Sequence, residues 1–390
     1  MISFEQAFKL VMDQAFTQPT ERVELMDSLG RVLAEDIVAD MDMPPFDKAA
    51  VDGYACRFED IHSPMEVIEI ISAGKVPLKR IETGKCAKIM TGAMLPEGAD
   101  GILMVEDTES YPGNRIRFSK NKSQKNICYK GEDIKSGDKL IDKGTLLQPQ
   151  HISVLATIGA VNPLVHRQVR VGIFSTGDEL VEPGVTPAPA QIRNSNAYQL
   201  IAQVRKIHAL PEYLGIAPDD PGFLSENIIA AIEKYDVVLL TGGVSVGDFD
   251  FVPEVLKNAG FDILFKSIAI QPGKPTVFGK KKDRFLFGLP GNPVSSFVLF
   301  EILVKPFIMR LMGCLTESPL VILPMGVDYR RIQSLRKSLI PVRIVDGQLF
   351  PIEYHGSAHI NAYTAANGII AIEPGETLLK KGESVRVRQV

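Results

Sequence analysis

Apolar residues recur at helical spacing at the start of the chain. Phe4, Ala7, Phe8, Val11, Met12 and Ala15 fall at i, i+3, i+4, the face of one helix. Ser3 suits its N-cap and Gln6 the capping-box position. A second helix is predicted from about Asp27 through LGRVLAEDIVA. At Pro44-Pro45 the pattern changes. Up to about residue 140, short β-like runs alternate with turn residues: EVIEIISAG, CAKIMTG, GILMVEDT and RIRFS. Strands without intervening helices predict a small β domain. A helix is predicted over 149–158, with Pro149 in its first turn and Gly159 at its end. That return of helical texture predicts a β domain inserted into a helical one.

Residues 168–312 alternate strand and helix. The strands read as VRVGIFSTG, EYLGIA, VVLLTGG, KSIAI and RFLFGLPG, and helices are predicted at 195–207, 222–234 and 251–259. A long helix, VSSFVLFEILVKPFIMRLM, ends the region. This order predicts a mostly parallel sheet with helices on both faces. SLIPVRIV, QLFPIEY, GIIAIE and SVRVRQV then alternate at period two between glycines 356, 368, 375 and 382, which predicts a small barrel or sandwich. The expected fold class is multidomain α/β plus β. Its parts are a helical N-terminal domain (1–45 and 139–168), an inserted β domain (46–138), a central α/β domain (169–318) and a C-terminal barrel-like β domain (319–390).

Composition narrows the function. The chain has 390 residues, 45% hydrophobic and 23% charged, which is ordinary for a globular protein. The net charge of −4 argues against general nucleic-acid binding. No apolar run approaches the roughly 20 residues of a membrane span, and the N-terminus carries no secretory pattern. Cys56, Cys86, Cys128 and Cys314 are scattered without a C-x-x-C pair, which predicts a cytoplasmic protein without zinc ribbons. His355 and His359 read as a structural pair, because two ligands seldom hold zinc.

Candidate chemistry collects at the predicted strand ends, where open α/β sheets bind ligands. TGGVSVGDFDF (241–251) follows an apolar strand. Gly242, Gly243 and Gly247 let the backbone approach an anion, and Asp248 and Asp250 are suited to Mg²⁺ shared with a phosphate. The same run reads equally as a strand-to-helix turn whose aspartates cap the helix. PGKPT is not a P-loop: Ile268 stands where the Walker glycine belongs, and Pro275 separates Lys274 from Thr276. Lys266 and Lys274 read as solvated lysines or as single-charge anion contacts. LPGNPVSS places Asn292 at an N-cap and Pro293 at the first helical position, a capped helix start and also an anion site. Asp178-Glu179 ends a strand on the ligand side, while Asp219-Asp220 is explained by a turn. Nine Lys or Arg stand against four Asp or Glu between residues 114 and 143. Arg330, Arg331, Arg336, Lys337 and Arg343 form a second basic group. Both are solvated strand faces or contacts for a small polyanion. Gly-x-Ser-x-Gly is absent. Taken together, the residues point to an α/β domain for a phosphorylated small molecule, with Mg²⁺, flanked by β domains.

The motifs, taken in order, resemble the molybdopterin molybdenumtransferase family, to which the gephyrin E domain is related. LGRVLAEDI, PPFDKAAVDGYA, IMTGAMLPEGADGILMVED, GEDI, FSTGDEL, IRNSN, TGGVSVGDFDF, IQPGKPTVFG and LPGNPVSSFVLFE carry the likeness over nearly the whole chain. The resemblance implies transfer of molybdenum from molybdate to adenylylated molybdopterin, with a divalent cation such as Mg²⁺ and release of AMP. It implies functional roles for Asp52, Thr91, Asp133, Glu179, Asp219, Asp250, Lys266, Lys274 and Ser357. Glu179 and Asp250 would serve the cation or the phosphate cleavage, and the lysines molybdate or phosphate. Gly242, Gly243, Ser245, Gly247, Pro290, Gly291 and Asn292 would line the substrate. The resemblance also implies a homodimer with a composite active site, its cleft joining the β domain of one subunit, with Asp52 and Thr91, to the α/β domain of the other. This chain departs from the family at Lys48-Ala49-Ala50-Val51, where Asn-Ser-Ala-Met is usual, and at Gln271, where lysine is common. A scaffold of the same fold and a related pterin- or nucleotide-hydrolysing enzyme are the alternative readings.

Overall fold

The computed structural model describes residues 1–218, 220–244, 252–315, 320–332, 335–353 and 359–390. It forms two compact units, one of residues 36–142 and 153–160, the other of 1–35, 143–152 and 161–390.

The smaller unit is built on a six-stranded sheet. Its strands are β1 (Gly53–Cys56), β2 (Met65–Ile71), β3 (Lys85–Ile89), β4 (Gly101–Met104), β5 (Thr108–Tyr111) and β6 (Arg115–Phe118). Their order is β4-β1-β3-β2-β6-β5. β2 and β3 pair in parallel and the other neighbours are antiparallel. The central strands are buried on both faces. Ala55, Ala87 and Ile102 face one core, and Cys56, Cys86 and Leu103 face the other. Burial on both faces explains why these strands read as near-continuous apolar runs.

In the larger unit, α1 (Phe4–Met12) carries the expected capping box. The Gln6 N–H donates to Ser3 Oγ at 3.1 Å, and the Ser3 N–H to Gln6 Oε1 at 3.0 Å. The second predicted helix does not form. A single turn of 3₁₀ helix, Met26–Ser28, precedes LGRVLAEDIVA, which itself runs extended. Gly30 breaks it at φ +74°, packed so closely on the His208 ring that a Cβ would collide. The Leu33 N–H donates to Thr145 O at 2.9 Å and the Gly144 N–H to Leu33 O at 2.7 Å. These long-range bonds outweigh the local helix propensity of the run. A helix does form at α2 (Pro149–Thr157).

The central layer is a mixed sheet. Its strands are β7 (Arg170–Thr176), β8 (Leu210–Ala217), β9 (Val237–Thr241), β10 (Asp262–Phe265), β11 (Val277–Lys281) and β12 (Arg284–Leu289), in the order β8-β7-β9-β12-β11-β10. The first four are parallel, β11 runs against β12, and β10 against β11. The helices are α3 (Asn196–Lys206), α4 (Pro221–Lys234), α5 (Val252–Asn258), α6 (Pro293–Leu299) and α7 (Lys305–Leu311). Alternation along each strand sorts the two faces. Val237, Leu239, Phe285 and Phe287 pack with Val11, Leu200, Val298 and Phe307. Val238, Leu240 and Leu286 pack with Leu224, Ile228, Val255 and Leu256. The rings of Phe278, Phe285, Phe287 and Phe307 lie 4.7–6.2 Å apart between centroids. Truncating one such buried ring to alanine costs about 3–5 kcal/mol.

Two details differ from the sequence reading. The run KSIAI is not a strand of this sheet. DILF takes that place as β10, and Ile270-Gln271 pairs in parallel with Lys337-Ser338. The predicted single long helix is continuous but changes pitch, with a π-helical stretch, Phe300–Val304, between α6 and α7.

The C-terminal strands are β13 (Leu320–Pro324), β14 (Lys337–Val345), β15 (Gln348–Pro351), β16 (Gly368–Ile372) and β17 (Ser384–Gln389). They pair as β15-β14-β16-β17-β13, and Met325, next after β13, bridges Leu349 in β15 and closes the ring. Ile340, Val342, Leu349, Ile370 and Val387 fill it. Asp346-Gly347, both at positive φ, makes the two-residue turn from β14 to β15.

Candidate active site

The strand directions of the central sheet bring most of the candidate residues that the structure describes to one edge. The parallel strands β7, β9 and β12 end there in register, with Ser175 beside Thr241 and Thr241 beside Leu289. β10 runs parallel to β12 and ends at the same edge, where Lys266 follows it. β11 runs the other way and begins there, three residues after Lys274. Both lysines are exposed. The turn between them is tied by the Ile268 N–H to Lys274 O at 3.0 Å and by Thr276 Oγ1 to Gly273 O at 2.7 Å. Gln271 is exposed in that turn and brings an amide where a charge is common.

Three glycines shape the edge. Gly177, Gly242 and Gly243 have φ values of +142°, +95° and +64°, which side chains rarely adopt. A Cβ on Gly242 would stand 2.5 Å from the Thr176 carbonyl oxygen, and one on Gly291 would stand 3.8 Å from Gly242 Cα. The Gly242 N–H donates to Leu289 O at 3.0 Å. The turns after β7, β9 and β12 therefore touch one another, backbone to backbone. Glu179 is exposed, and its carboxylate folds back over Gly177, where a Cβ would collide with it. Pro290, Gly291 and Asn292 lead into α6. Asn292 holds the N-cap position, but its side chain makes no capping hydrogen bond.

A buried polar network supports this edge, and it includes residues not singled out from the sequence. Thr241 Oγ1 donates to Ser175 Oγ at 3.2 Å, and Ser175 Oγ to Asn194 Oδ1 at 3.0 Å. Asn194 Nδ2 donates to the Tyr213 hydroxyl at 3.0 Å, which donates to Glu182 Oε1 at 2.6 Å. Burial, and then the bond to Glu182, raises the Tyr213 phenol above its ordinary range. Asn196 Nδ2 donates to Gly291 O at 2.7 Å. Asn196 is 8% exposed, and its Oδ1 is buried without a hydrogen-bond partner. The run IRNSN was the available signal for Asn194 and Asn196. Ser175 lies within the run FSTGDEL, whereas nothing local marks Tyr213, because register places it.

The smaller unit holds a second cluster. Asp52 precedes β1 and Thr91 follows β3, so the β1–β3 ladder sets them together. The Thr91 N–H and its hydroxyl both donate to Asp52 Oδ1, at 2.6 and 2.7 Å. The Thr91 hydroxyl first, its N–H next, and then the charge of Lys88 hold the Asp52 carboxyl below the usual carboxylate range. Asp133 is exposed in a turn pinned by its own N–H to Met43 O at 3.1 Å. Among the described residues no hydrogen bond links Asp133 to that pair. Ala49 is buried, and the Gly92 N–H donates to its carbonyl at 2.8 Å, so the family's hydroxyl is missing one residue from Thr91.

Asp219, Ser245, Gly247, Asp248, Asp250 and Ser357 lie outside the described residues. Asp220 is described and caps α4, accepting from the Phe223 N–H at 2.6 Å. No group of three or more His, Cys, Asp or Glu suited to a metal occurs among the described residues. Hydrated Mg²⁺ needs fewer, because it keeps waters and takes one or two carboxylates plus phosphate oxygens. Glu179 beside the glycine turns fits that donor set. No described helix is long and apolar enough to cross a membrane. A cleft of about 680 Å³ lined by Phe8, Lys206, His208 and Met309 lies by the start of β8, at the sheet edge opposite this site.

Three family models match in order: the MoeA N-terminal region (domain I and II) over residues 2–159, a probable molybdopterin binding domain over 172–310, and the MoeA C-terminal region (domain IV) over 330–390. A molybdopterin molybdenumtransferase of Haemophilus influenzae is 39% identical, covering 99% of this chain and 98% of its own length. The Bacillus subtilis protein of the same name is 37% identical, covering 94% and 89%. The crystal structure of a molybdopterin biosynthesis moeA protein from Pyrococcus horikoshii OT3 is similar over 100% of both chains, with a TM-score of 0.84 and 31% identity. The chain belongs to the molybdopterin molybdenumtransferase family, enzymes of molybdenum cofactor biosynthesis.

Proposed function

We propose that this chain transfers molybdenum from molybdate to adenylylated molybdopterin and releases AMP. One observation carries the reading: the glycine turns after β7, β9 and β12 touch at a single sheet edge that also holds Glu179, Lys266 and Lys274. Backbone N–H groups bared by glycine cradle phosphate oxygens without a side chain in the way. Lys266 and Lys274 bring mobile charges to molybdate or phosphate, and Gln271 contributes hydrogen bonds alone. Asn196 holds the Gly291 carbonyl and keeps Oδ1 buried as a free acceptor for a donor of the substrate. Glu179 would hold Mg²⁺ against the phosphates. When bound, that cation offsets charge developing on the phosphate as the adenylyl bond breaks. The rest of the task is positioning: the two reactants held at one edge react as if at a much higher concentration.

Asp52 and Thr91 supply a fixed anion and a hydroxyl, and Asp250, Asp219, Asp133 and Ser357 complete the assignment by resemblance. A homodimer and a cytoplasmic location belong to the same proposal. The four cysteines form no disulfide, as such a location favours. The purified protein is expected to release AMP from adenylylated molybdopterin only with both molybdate and Mg²⁺ present. Equal release in excess chelator removes the cation from the reaction, and no release under any of these conditions removes the activity.

A further inference from the structure

β1 and β3 are paired over four rungs, Gly53↔Ile89, Tyr54↔Lys88, Ala55↔Ala87 and Cys56↔Cys86. The last rung sets two cysteines directly opposite one another. Both are free, both are fully buried, and both face the same core, with Met65, Leu103 and Phe118. The hydrogen-bond pattern fixes the kind of rung. The Asp52 and Cys56 carbonyls accept from Val105 and Asp100, across from β3. Residues two apart in a strand point their backbone groups the same way, so Cys56 directs its own at β4 and exchanges none with Cys86. Such non-hydrogen-bonded pairs bring Cα atoms to about 4.5 Å with side chains close together. Disulfides span Cα separations of about 4.4–6.8 Å. The thiols therefore stand in bonding register in the reduced protein.

We propose that Cys56 and Cys86 are a reversible oxidation site, which closes into a cross-strand disulfide when the end of the β1–β3 ladder frays. Burial pushes both thiols up to about 12, so the closed ladder offers an oxidant almost no thiolate. The rung is the last of the β1–β3 ladder, however, and although Cys86 also pairs with Val67 of β2 and Cys56 with Gly101 of β4, the chain just beyond it is held by few side-chain bonds. Arg57 Nη1 donates to Thr83 Oγ1 at 2.7 Å, and the Gly84 N–H to Asp60 Oδ2 at 3.1 Å. Exposed bonds at the end of an element open with far less free energy than the whole fold.

The co-reactant is a small disulfide such as oxidised glutathione. In the opened rung one cysteine gives up its proton, and its thiolate displaces a glutathione thiolate to form a mixed disulfide. The second cysteine, deprotonated in turn, attacks that sulfur and displaces the other glutathione. One S–S bond breaks and one forms, the cysteine pair is oxidised by two electrons, and two glutathione thiols carry away the two protons. The site differs in kind from Cys128, a lone half-buried thiol that can go no further than a mixed disulfide.

The test uses the full chain incubated with oxidised glutathione, followed by alkylation and peptide mapping without reductant. The expected product is a Cys56–Cys86 link that reducing agent reverses and that Cys86→Ser lacks. Thr83→Val, which removes one bond beyond the rung and touches neither cysteine, is expected to speed link formation about threefold or more. Failure to find the link in either protein, under conditions that fully modify Cys128, overturns the site. Equal rates in the wild type and Thr83→Val overturn the fraying of this end as its gate. Hydrogen exchange gives a second readout. The link is expected to slow exchange of the β1–β3 amides severalfold, and unchanged exchange in the linked protein would mean the bond formed in a misfolded fraction.

Discussion

The two clusters treat their polar groups in opposite ways. At Asp52–Thr91 the acid already has its donors, two of them from one threonine, so charge and hydroxyl are fixed before any ligand arrives. At the central sheet edge several polar groups are left open. Glycines in conformations closed to side chains expose the backbone, Asn292 leaves its cap unmade, and Asn196 buries an acceptor with nothing to accept. Unsatisfied buried polar atoms are rare, because each costs about 1–3 kcal/mol. A protein that tolerates them at one edge and avoids them at another separates two tasks, receiving a ligand and holding a charge still.

That contrast can be broken experimentally, beginning with the largest effect. Glu179→Gln is expected to lower AMP release by about a hundredfold or more, the scale of losing one electrostatic contact to a reacting phosphate. Near-normal turnover would make Glu179 a bystander of the strand end. Gly242→Ala is expected to cost about 1–3 kcal/mol in denaturant unfolding from its backbone conformation alone, and more from the clash with Thr176 O, with activity falling in parallel. A fully stable, active variant would show that the turns need not touch. Asn196→Ala removes the donor to Gly291 O, so substrate affinity should weaken by about tenfold, the equivalent of about 1.4 kcal/mol. If KM stays put, the buried Oδ1 is a structural oddity and not an acceptor awaiting a ligand.

The smallest effect belongs to the closed cluster. Thr91→Val deletes the hydroxyl donor and leaves the N–H. The Asp52 carboxyl should then titrate at a higher pH than in the wild type, as followed by carbon NMR of the side chain. The sign follows from the lowered value in the folded state: the two bonds to the ionised carboxylate are present above the ordinary carboxylate range and are lost as pH falls through the lowered value. In Thr91→Val that loss begins at a higher pH. Thr91→Ser should restore the wild-type titration.

The sequence was legible wherever local pattern and final environment agreed. Ser3 and Gln6 spelled out their capping box, and VVLL, flanked by polar residues, read as an apolar strand, which the sheet buries on both faces. It was not legible where a distant partner decides. Gly30 and Leu33 lie in a run with helical spacing, yet Leu147 and Thr145, more than a hundred residues away, draw them out of a helix. Ile270 reads as the end of a strand of the central sheet, but pairs with Lys337 of the C-terminal barrel. The candidate site divides in the same way. Glycine turns and the residues at strand ends announce themselves by composition. The Ser175–Asn194–Tyr213 chain depends on sheet register and a crossover, which no single window of sequence contains. The Asp52–Thr91 bond was named at both ends through family likeness, but the reason the two meet, four rungs of ladder, is visible only in the fold.

The lodging of residues 36–142, nearly all of the smaller unit, between two sequence stretches of the larger one has a consequence for how the protein is made. Residues 36–142 hold every strand of the smaller sheet, and Ile37-Val38 pairs with Lys139–Ile141 at its two points of entry and exit. A ribosome releases that sheet whole before any strand of the central layer exists. The N-terminal helix is different: Val11 buries itself against Leu200 and Phe307, so α1 waits, amphipathic and uncovered, through most of synthesis. Domains generally fold as they emerge, N-terminal first. Here the earliest residues are expected to settle among the last. Proteolysis of ribosome-bound chains stalled once residue 142 has cleared the ribosome should find 36–142 protected and Phe4–Met12 cut.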